Sequence, residues 1–409
     1  MQTFNTILAE RFSKDKKDKK RWERIVTEVY KGSPETLGFE TSEYANADLE
    51  QLSFAYGQLS NPRFDQKRGK LLNKDTILAA KETALSLYRE MLRRKKRNIM
   101  ALQGAAYIHY KFAIASFTPK ENDQATQELK QKFREERYES ALKAERVYLK
   151  LLEYMPNNIT ANYRYAHMLQ TNFWPYAKDH KLSYVQMFHL VDSYYIKTME
   201  AYEAITAPEK QSQYAAIYAK TIFSRAKLYQ DSVYDNYADV FTEYIQNPDK
   251  AVPGYTIKGM VQHIQEAQTY LFQVMKFLKL DLSTYDVTED AKRWNLNKQP
   301  VKYDFLFNRI AKTYAFQYRY QCFRSGRPQA DKDVLGSALY YSLLAIQYDL
   351  WYNKINHANR NVLTTTYVEL KRIAGLNDSA PEILGAQQKI KNYLTIPRCI
   401  YQEGTQDNE

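Results

Sequence analysis

Cysteine, glycine, proline and tryptophan are all sparse in these 409 residues, and each shortage excludes something. Two cysteines, Cys322 and Cys399, leave no room for the disulfide framework of many exported chains. Twelve glycines and twelve prolines are too few for the hairpin turns of an all-β architecture. They suit long helices joined by short turns. No run approaches the roughly 18 uninterrupted apolar residues of a membrane-spanning helix. The opening stretch, Met1 to Phe12, lacks the basic-then-apolar order of a secretory signal. A cytoplasmic location away from membranes is the expectation.

Motifs that carry chemistry are missing as well. The six histidines are His109, His167, His180, His189, His263 and His357, and no two stand at HxxxH or HExxH spacing. Metal binding is therefore not expected. Neither GxxxxGK[ST] nor GxGxxG is present to cradle phosphate, and no GxSxG elbow presents a nucleophilic serine. No catalytic residue and no cofactor is expected. Carboxylate pairs such as Asp235 and Asp239 read as solvated helix positions.

What is present is apolar residue in helical rhythm, positive charge and tyrosine. Ala84, Leu87, Tyr88, Met91 and Leu92 fill the positions i, i+3, i+4, i+7 and i+8, and Ala144, Val147, Tyr148, Leu151 and Leu152 fill them again. Each set forms one apolar stripe that needs a partner element. Both stripes lead to an Asn-Ile pair, Asn98-Ile99 and Asn158-Ile159, and then to small residues at Ala101, Ala105, Ala106, Ala161 and Ala166. Breaks are expected at Lys31-Gly32-Ser33-Pro34, Asn61-Pro62, Asn247-Pro248, Pro253-Gly254 and Ser325-Gly326-Arg327-Pro328, with a polar tail from Pro397.

The run from Ala144 through Tyr148, Leu151 and Pro156 to Ala166 resembles the tetratricopeptide repeat. The Ala84 copy is similar but has Lys96 in place of the proline. Weaker copies run from Met199 and Tyr202 to Tyr218-Ala219, and from Phe307, Ile310, Ala311 and Tyr314 to Ala338 and Ala345. The spacing departs from the family's period of about 34 residues. Ala106 to Ala166 is 60 residues and Ala166 to Ala219 is 53. The alternative is a generic helical bundle, whose packing rules are the same.

The resemblance implies an all-α, tetratricopeptide-like α-α superhelix with helical extensions at both ends. It divides the chain into an N-terminal helical region at 1–75, repeats at 76–246, a C-terminal helical region at 258–395 and a tail at 396–409. It further implies a concave groove whose contacts come from the first helix of each pair. Carried over, these are Met100, Gln103, Tyr107 and Tyr110, then Thr160, Tyr163, His167 and Gln170, then Lys220 and Phe223, then Asn308 and Lys312. Polar and aromatic groups together suit an extended peptide.

Positive charge offers another route. The net charge is +12, which attracts acidic partners, although lysine on solvated helix faces produces the same total. One basic run, Lys14 to Arg24, includes Lys16, Lys17, Lys19, Lys20 and Arg21 with Trp22 embedded. A second, Arg93, Arg94, Lys95, Lys96 and Arg97, has no acid within it. Either run can grip phosphates, with an aromatic for stacking, or can be an exposed helix face. The 36 tyrosines exceed what helix interfaces need, so surface members suit partner contact. The expected function is a protein- or peptide-binding scaffold. The alternatives are nucleic-acid binding through the basic runs, or a non-catalytic regulatory subunit.

Overall fold

A computed structural model describes residues 19–61, 74–115, 127–246, 257–282, 300–325, 331–352 and 360–396. Lys16, Lys17, the two breaks between Asn247 and Gly254, the turn at Gly326-Arg327-Pro328 and the tail from Pro397 lie outside these residues. Among the described residues every regular element is helical and the protein is all-α.

The chain divides into two compact units, Met1–Ala201 and Tyr202–Glu409. The first holds α1 (Lys19–Arg24), which runs into a π turn at Ile25–Val29, and α2 (Asn46–Leu59). These are followed by α3 (Lys74–Arg94), α4 (Ile99–Ile114), α5 (Gln127–Tyr154), α6 (Ile159–Thr171), α7 (Phe173–Asp179) and most of α8 (Tyr184–Glu203).

The helical rhythm places its stripes inside. Ala84, Leu87, Tyr88 and Met91 of α3 are buried, as are Ala144, Tyr148, Leu151 and Leu152 of α5. Burying one such large side chain contributes about 1.5 to 3 kcal/mol, and the two stripes are the main apolar seams of their helices. Ala101, Ala105 and Ala106 of α4 and Ala161 and Ala166 of α6 are buried too, so the helices close in on small residues.

The turns that join the helices repeat atom for atom. Lys95 N–H donates to Met91 O at 2.9 Å, and Met155 N–H to Leu151 O at 2.9 Å. Asn98 Oδ1 caps α4 by accepting from Ala101 N–H at 3.1 Å, and Asn158 Oδ1 caps α6 from Ala161 N–H at 3.0 Å. An asparagine cap satisfies an amide that no carbonyl within the helix can reach. The Asn-Ile pairs are the starts of two equivalent helices, and α4 packs on α3 and α5 while α6 packs on α5 and α4.

The second unit holds α9 (Pro208–Gln246), α10 (Ile257–Phe277), α11 (Tyr303–Ser325), α12 (Lys332–Tyr352), α13 (Arg360–Ala374) and α14 (Pro381–Gln388). Its core includes Leu306, Phe307, Ile310 and Ala311 of α11 and Leu339, Leu343 and Ala345 of α12. Arg309 ties α11 to α9 by donating to Gln230 Oε1 at 2.8 Å and to the Asp231 carboxylate.

Candidate functional site

Eight of the twelve groove candidates lie on α4 and α6, and six of them come together. Positions 103, 107 and 110 lie on one face of α4, because steps of three and four residues return to the same side of a helix. Positions 163, 167 and 170 do the same on α6. The rings then meet across the two helices. Tyr107 stacks beside Tyr110 with centroids 6.2 Å apart. The Tyr110 hydroxyl is hydrogen-bonded to His167 Nδ1 at 3.1 Å. His167 stacks against Tyr163 at 5.8 Å, and Tyr163 reaches Tyr195 of α8 at 6.4 Å. The Tyr195 hydroxyl donates to Gln170 Oε1 at 2.6 Å. Tyr110 forms the buried floor, while Gln103, Tyr107, Tyr163, His167 and Gln170 are half-exposed. Burial pushes the Tyr110 hydroxyl well above the usual phenol range, with neighbouring Tyr163 and Tyr148 acting the same way.

Two cations join this row that the groove positions do not include. The Arg164 guanidinium lies 4.0 Å from the Tyr107 ring centre and 5.9 Å from that of Tyr110. Lys111 is 6% exposed, and its ammonium donates to Gly57 O and to Ser60 Oγ at 3.3 Å, at the C-terminal end of α2. Its Nζ also lies 5.3 Å from the Tyr107 ring. Burial brings Lys111 down to about 7, and the charge of Arg164 pushes it the same way. A cation over an aromatic face gains from the ring's negative quadrupole, by about 0.5 to 2 kcal/mol. Such contacts hold both side chains beside the tyrosines.

Four further groove candidates are on helices of the second unit. On α9, Lys220 is exposed and Phe223 half-buried; on α11, Lys312 is half-buried. Asn308 is buried, with Oδ1 accepting from Thr366 Oγ1 at 3.4 Å, so it serves the interior. Met100 and Thr160, at the first turns of α4 and α6, are exposed and half-buried respectively.

The basic runs are partly spent on structure. Arg93 donates to Glu90 at 2.7 and 2.8 Å, and Arg94 donates to Glu90 Oε1 at 2.7 Å. These bonds, Arg93's first, hold the Glu90 carboxyl down at about 2. Arg94 also donates to Tyr44 O at 2.8 Å, Asn46 Oδ1 at 3.0 Å and Ser42 O at 3.0 Å, pinning the segment before α2. Lys95, Lys96 and Arg97 are exposed, with Arg97 over the Tyr154 ring at 5.1 Å. Lys19, Lys20 and Arg21 fall on α1, and their side chains are outside the described set. Trp22 is 1% exposed and packs edge-on against Phe54 at 5.2 Å, so its ring is core and not a stacking platform.

Two further polar features stand out. Glu145 of α5 is buried and accepts from the hydroxyls of Tyr165, at 2.7 Å, and Tyr176, with His180 Nε2 3.9 Å away. Burial first, and then the Glu145 charge, pushes the Tyr165 phenol far above its ordinary range. In the second unit, an open cleft of about 550 Å³ lies between α10 and α11, lined by Val261, Gln265, Phe316, Gln317, Tyr320 and Arg324. Its amides are largely tied internally, Gln317 Nε2 donating to Gln268 Oε1 at 3.1 Å and Gln321 Nε2 to Asp331 Oδ2 at 3.3 Å.

Among the described residues no cluster of three or more His, Cys, Asp or Glu side chains has the arrangement of a metal site, and no helix is long and apolar enough to cross a membrane. Asp235 and Asp239 lie on α9, and their side chains are outside the described set. Comparison with protein-family models, curated proteins and solved structures yields no match to this chain.

Proposed function

We propose that this protein is a non-catalytic binding scaffold that holds a segment of a partner polypeptide against the α4/α6 face. One observation carries the reading: Tyr107, Tyr110, His167 and Tyr163, from helices 60 residues apart in sequence, form one continuous ring row with half-exposed members. Tyrosine rings offer broad apolar area at low entropic cost and keep a polar tip, which is why they recur as binding hot spots. The amides of Gln103 and Gln170 flank the row and can pair with the backbone of an extended chain. The tetratricopeptide-like array expected from the sequence is part of this proposal, with α4 and α6 as its groove-lining helices.

The test is a triple variant, Tyr107→Ala with Tyr163→Ala and His167→Ala, measured against peptides selected on the full chain by display. Loss of two hot spots of about 2 kcal/mol each predicts affinity weaker by at least about a hundredfold. The helical circular dichroism spectrum should stay intact, because none of the three is a fully buried residue. Unaltered affinity in the folded variant would remove α4/α6 as the binding face.

A further inference from the structure

Resting on that reading, we propose that the α4/α6 face takes a phosphoryl group carried by its polypeptide partner, with Arg164 as the contacting cation. Neither 99–114 nor 159–171 contains a single aspartate or glutamate. Both helices instead bring positive charge to the same ring, Lys111 at 5.3 Å and Arg164 at 4.0 Å from the centre of Tyr107.

Arg164 is half-exposed and forms no ion pair among the described residues; it rests on the rings of Tyr107 and Tyr110 and reaches the Tyr148 hydroxyl. The Tyr148 phenol is 1% exposed and burial pushes its pKa up, so it gives the guanidinium no counter-charge. Asp192, the acidic residue of α8 that lies one turn before Tyr195, is buried and already engaged. A guanidinium with five donors, held at the surface without a carboxylate, is a site short of an anion.

Charge arithmetic selects the anion. Arg164 brings a full positive charge and Lys111, held down at about 7, a partial one near neutral pH, with no acidic group on either helix. A phosphoryl group carries about −1.5 to −2 near neutral pH, more than the single charge of a carboxylate, and so gains more from this field. Its oxygens also match the fork of the guanidinium, giving paired charge-assisted bonds. Lys111 contributes through its field and not by contact, since its ammonium is turned to Gly57 O and Ser60 Oγ. The tyrosines around Arg164 exclude water on one side, which strengthens the attraction relative to an exposed arginine.

The test uses the full chain and two labelled degenerate peptide libraries, identical except that one fixes a phosphoserine where the other fixes serine. Fluorescence anisotropy should favour the phosphorylated library by about tenfold or more, the scale of one bond to a charged group. Inorganic phosphate should compete for it. Arg164→Gln should abolish the preference and Arg164→Lys should retain part of it, each with unchanged melting temperature. If Arg164→Gln fails to fold, the phosphoserine-to-serine ratio and the phosphate competition on the wild-type chain still decide. Equal binding of the two libraries overturns the phosphoryl inference and leaves the peptide reading standing. Binding of neither library overturns both. Capture by vesicles of phosphatidylcholine doped with a phosphoinositide, with the phosphorylated library inert, overturns the inference in favour of a membrane headgroup.

Discussion

The helix pair α3–α4 and the helix pair α5–α6 share one turn and one cap but differ at many buried or half-buried positions. Both use an apolar stripe, a four-residue turn and an asparagine cap, with equivalent hydrogen bonds agreeing within about 0.1 Å. Sixty residues separate the counterparts. Where the first pair has Leu85, Gly104, Ala105 and Lys111, the second has Glu145, Arg164, Tyr165 and Thr171. At positions 85 and 105 the first pair is apolar, and Gly104 leaves room for the ring of Tyr88 to lie directly on the helix backbone. The second replaces Leu85 and Ala105 by a carboxylate and a phenol hydrogen-bonded to each other. It also replaces the glycine by Arg164, whose side chain reaches out over Tyr107. One backbone plan thus supports an apolar contact in one copy and a polar one in the other, and on the proposed function the second carries the recognising cation.

Breaking the polar interior of the second pair has the largest expected effect. Glu145→Ala strands the hydroxyls of Tyr165 and Tyr176, each costing about 1 to 3 kcal/mol when left buried and unpaired. The expected loss is about 3 kcal/mol, read as a lower urea midpoint. Importing the first pair's apolar character sharpens the comparison. Glu145→Leu with Tyr165→Phe removes both partners of one bond and keeps the ring's volume, so it should lose less than the single alanine variant. A double variant as unstable as Glu145→Ala would show that the network is not interchangeable with apolar packing.

The glycine is next. A Cβ at position 104 would fall within the van der Waals envelope of Tyr88 Cζ, and Tyr88 is a buried ring with little room to swing. Overpacking of this kind costs about 1 to 3 kcal/mol, set against a gain of about 1 kcal/mol from alanine's helix propensity. Gly104→Ala should therefore lower the urea midpoint by about 1 kcal/mol net. A neutral or stabilising outcome would mean that Tyr88 yields and that the contact is not specific.

Much of the fold was legible because burial and helix period speak directly through Ala84, Leu87, Tyr88 and Met91 and their counterparts. The asparagine caps were legible as a repeated Asn-Ile pair before small residues. The site was half legible. Tyr107, Tyr163 and His167 were named because the repeat resemblance carries its contact positions onto them, and the ring row then joins them across α4 and α6. Arg164 and Lys111 were missed because the groove positions taken from the repeat resemblance skip them. The signal that finds them is the absence of any acid over 99–114 and 159–171. Trp22 and Arg94 were harder, since their surroundings are remote in sequence. A basic neighbourhood does not keep an indole from a core formed with α2. Nor does the run of cations at 93–97 reveal that Arg94 is tied to carbonyls of Ser42 and Tyr44.

Lys111 gives the subtlest way to separate the two pairs. Its counterpart, Thr171, merely bonds within its own helix, to His167 O at 2.7 Å. Lys111 lies at about 7 in the folded protein against an ordinary value of 10.5. Between those values the unfolded chain holds a proton that the folded chain has released. By linkage, this group makes stability rise with pH across that window, with a slope of at most about 1.4 kcal/mol per pH unit. Below about 7 both states are protonated and the slope vanishes. Lys111→Met removes the titrating group and fills much of the same volume, so its stability should be flatter than wild type between about pH 7.5 and 8.5, below the range where tyrosines ionise appreciably. Denaturant titrations at several pH values check this directly. Parallel profiles for the two chains would mean that the helix carbonyl of Gly57 keeps the lysine charged in spite of its burial, because a cation at a helix C-terminus is favoured by the dipole. In that case the first pair would carry a permanent charge beneath Tyr107, and the contrast with Thr171 would be one of fixed field and not of proton exchange.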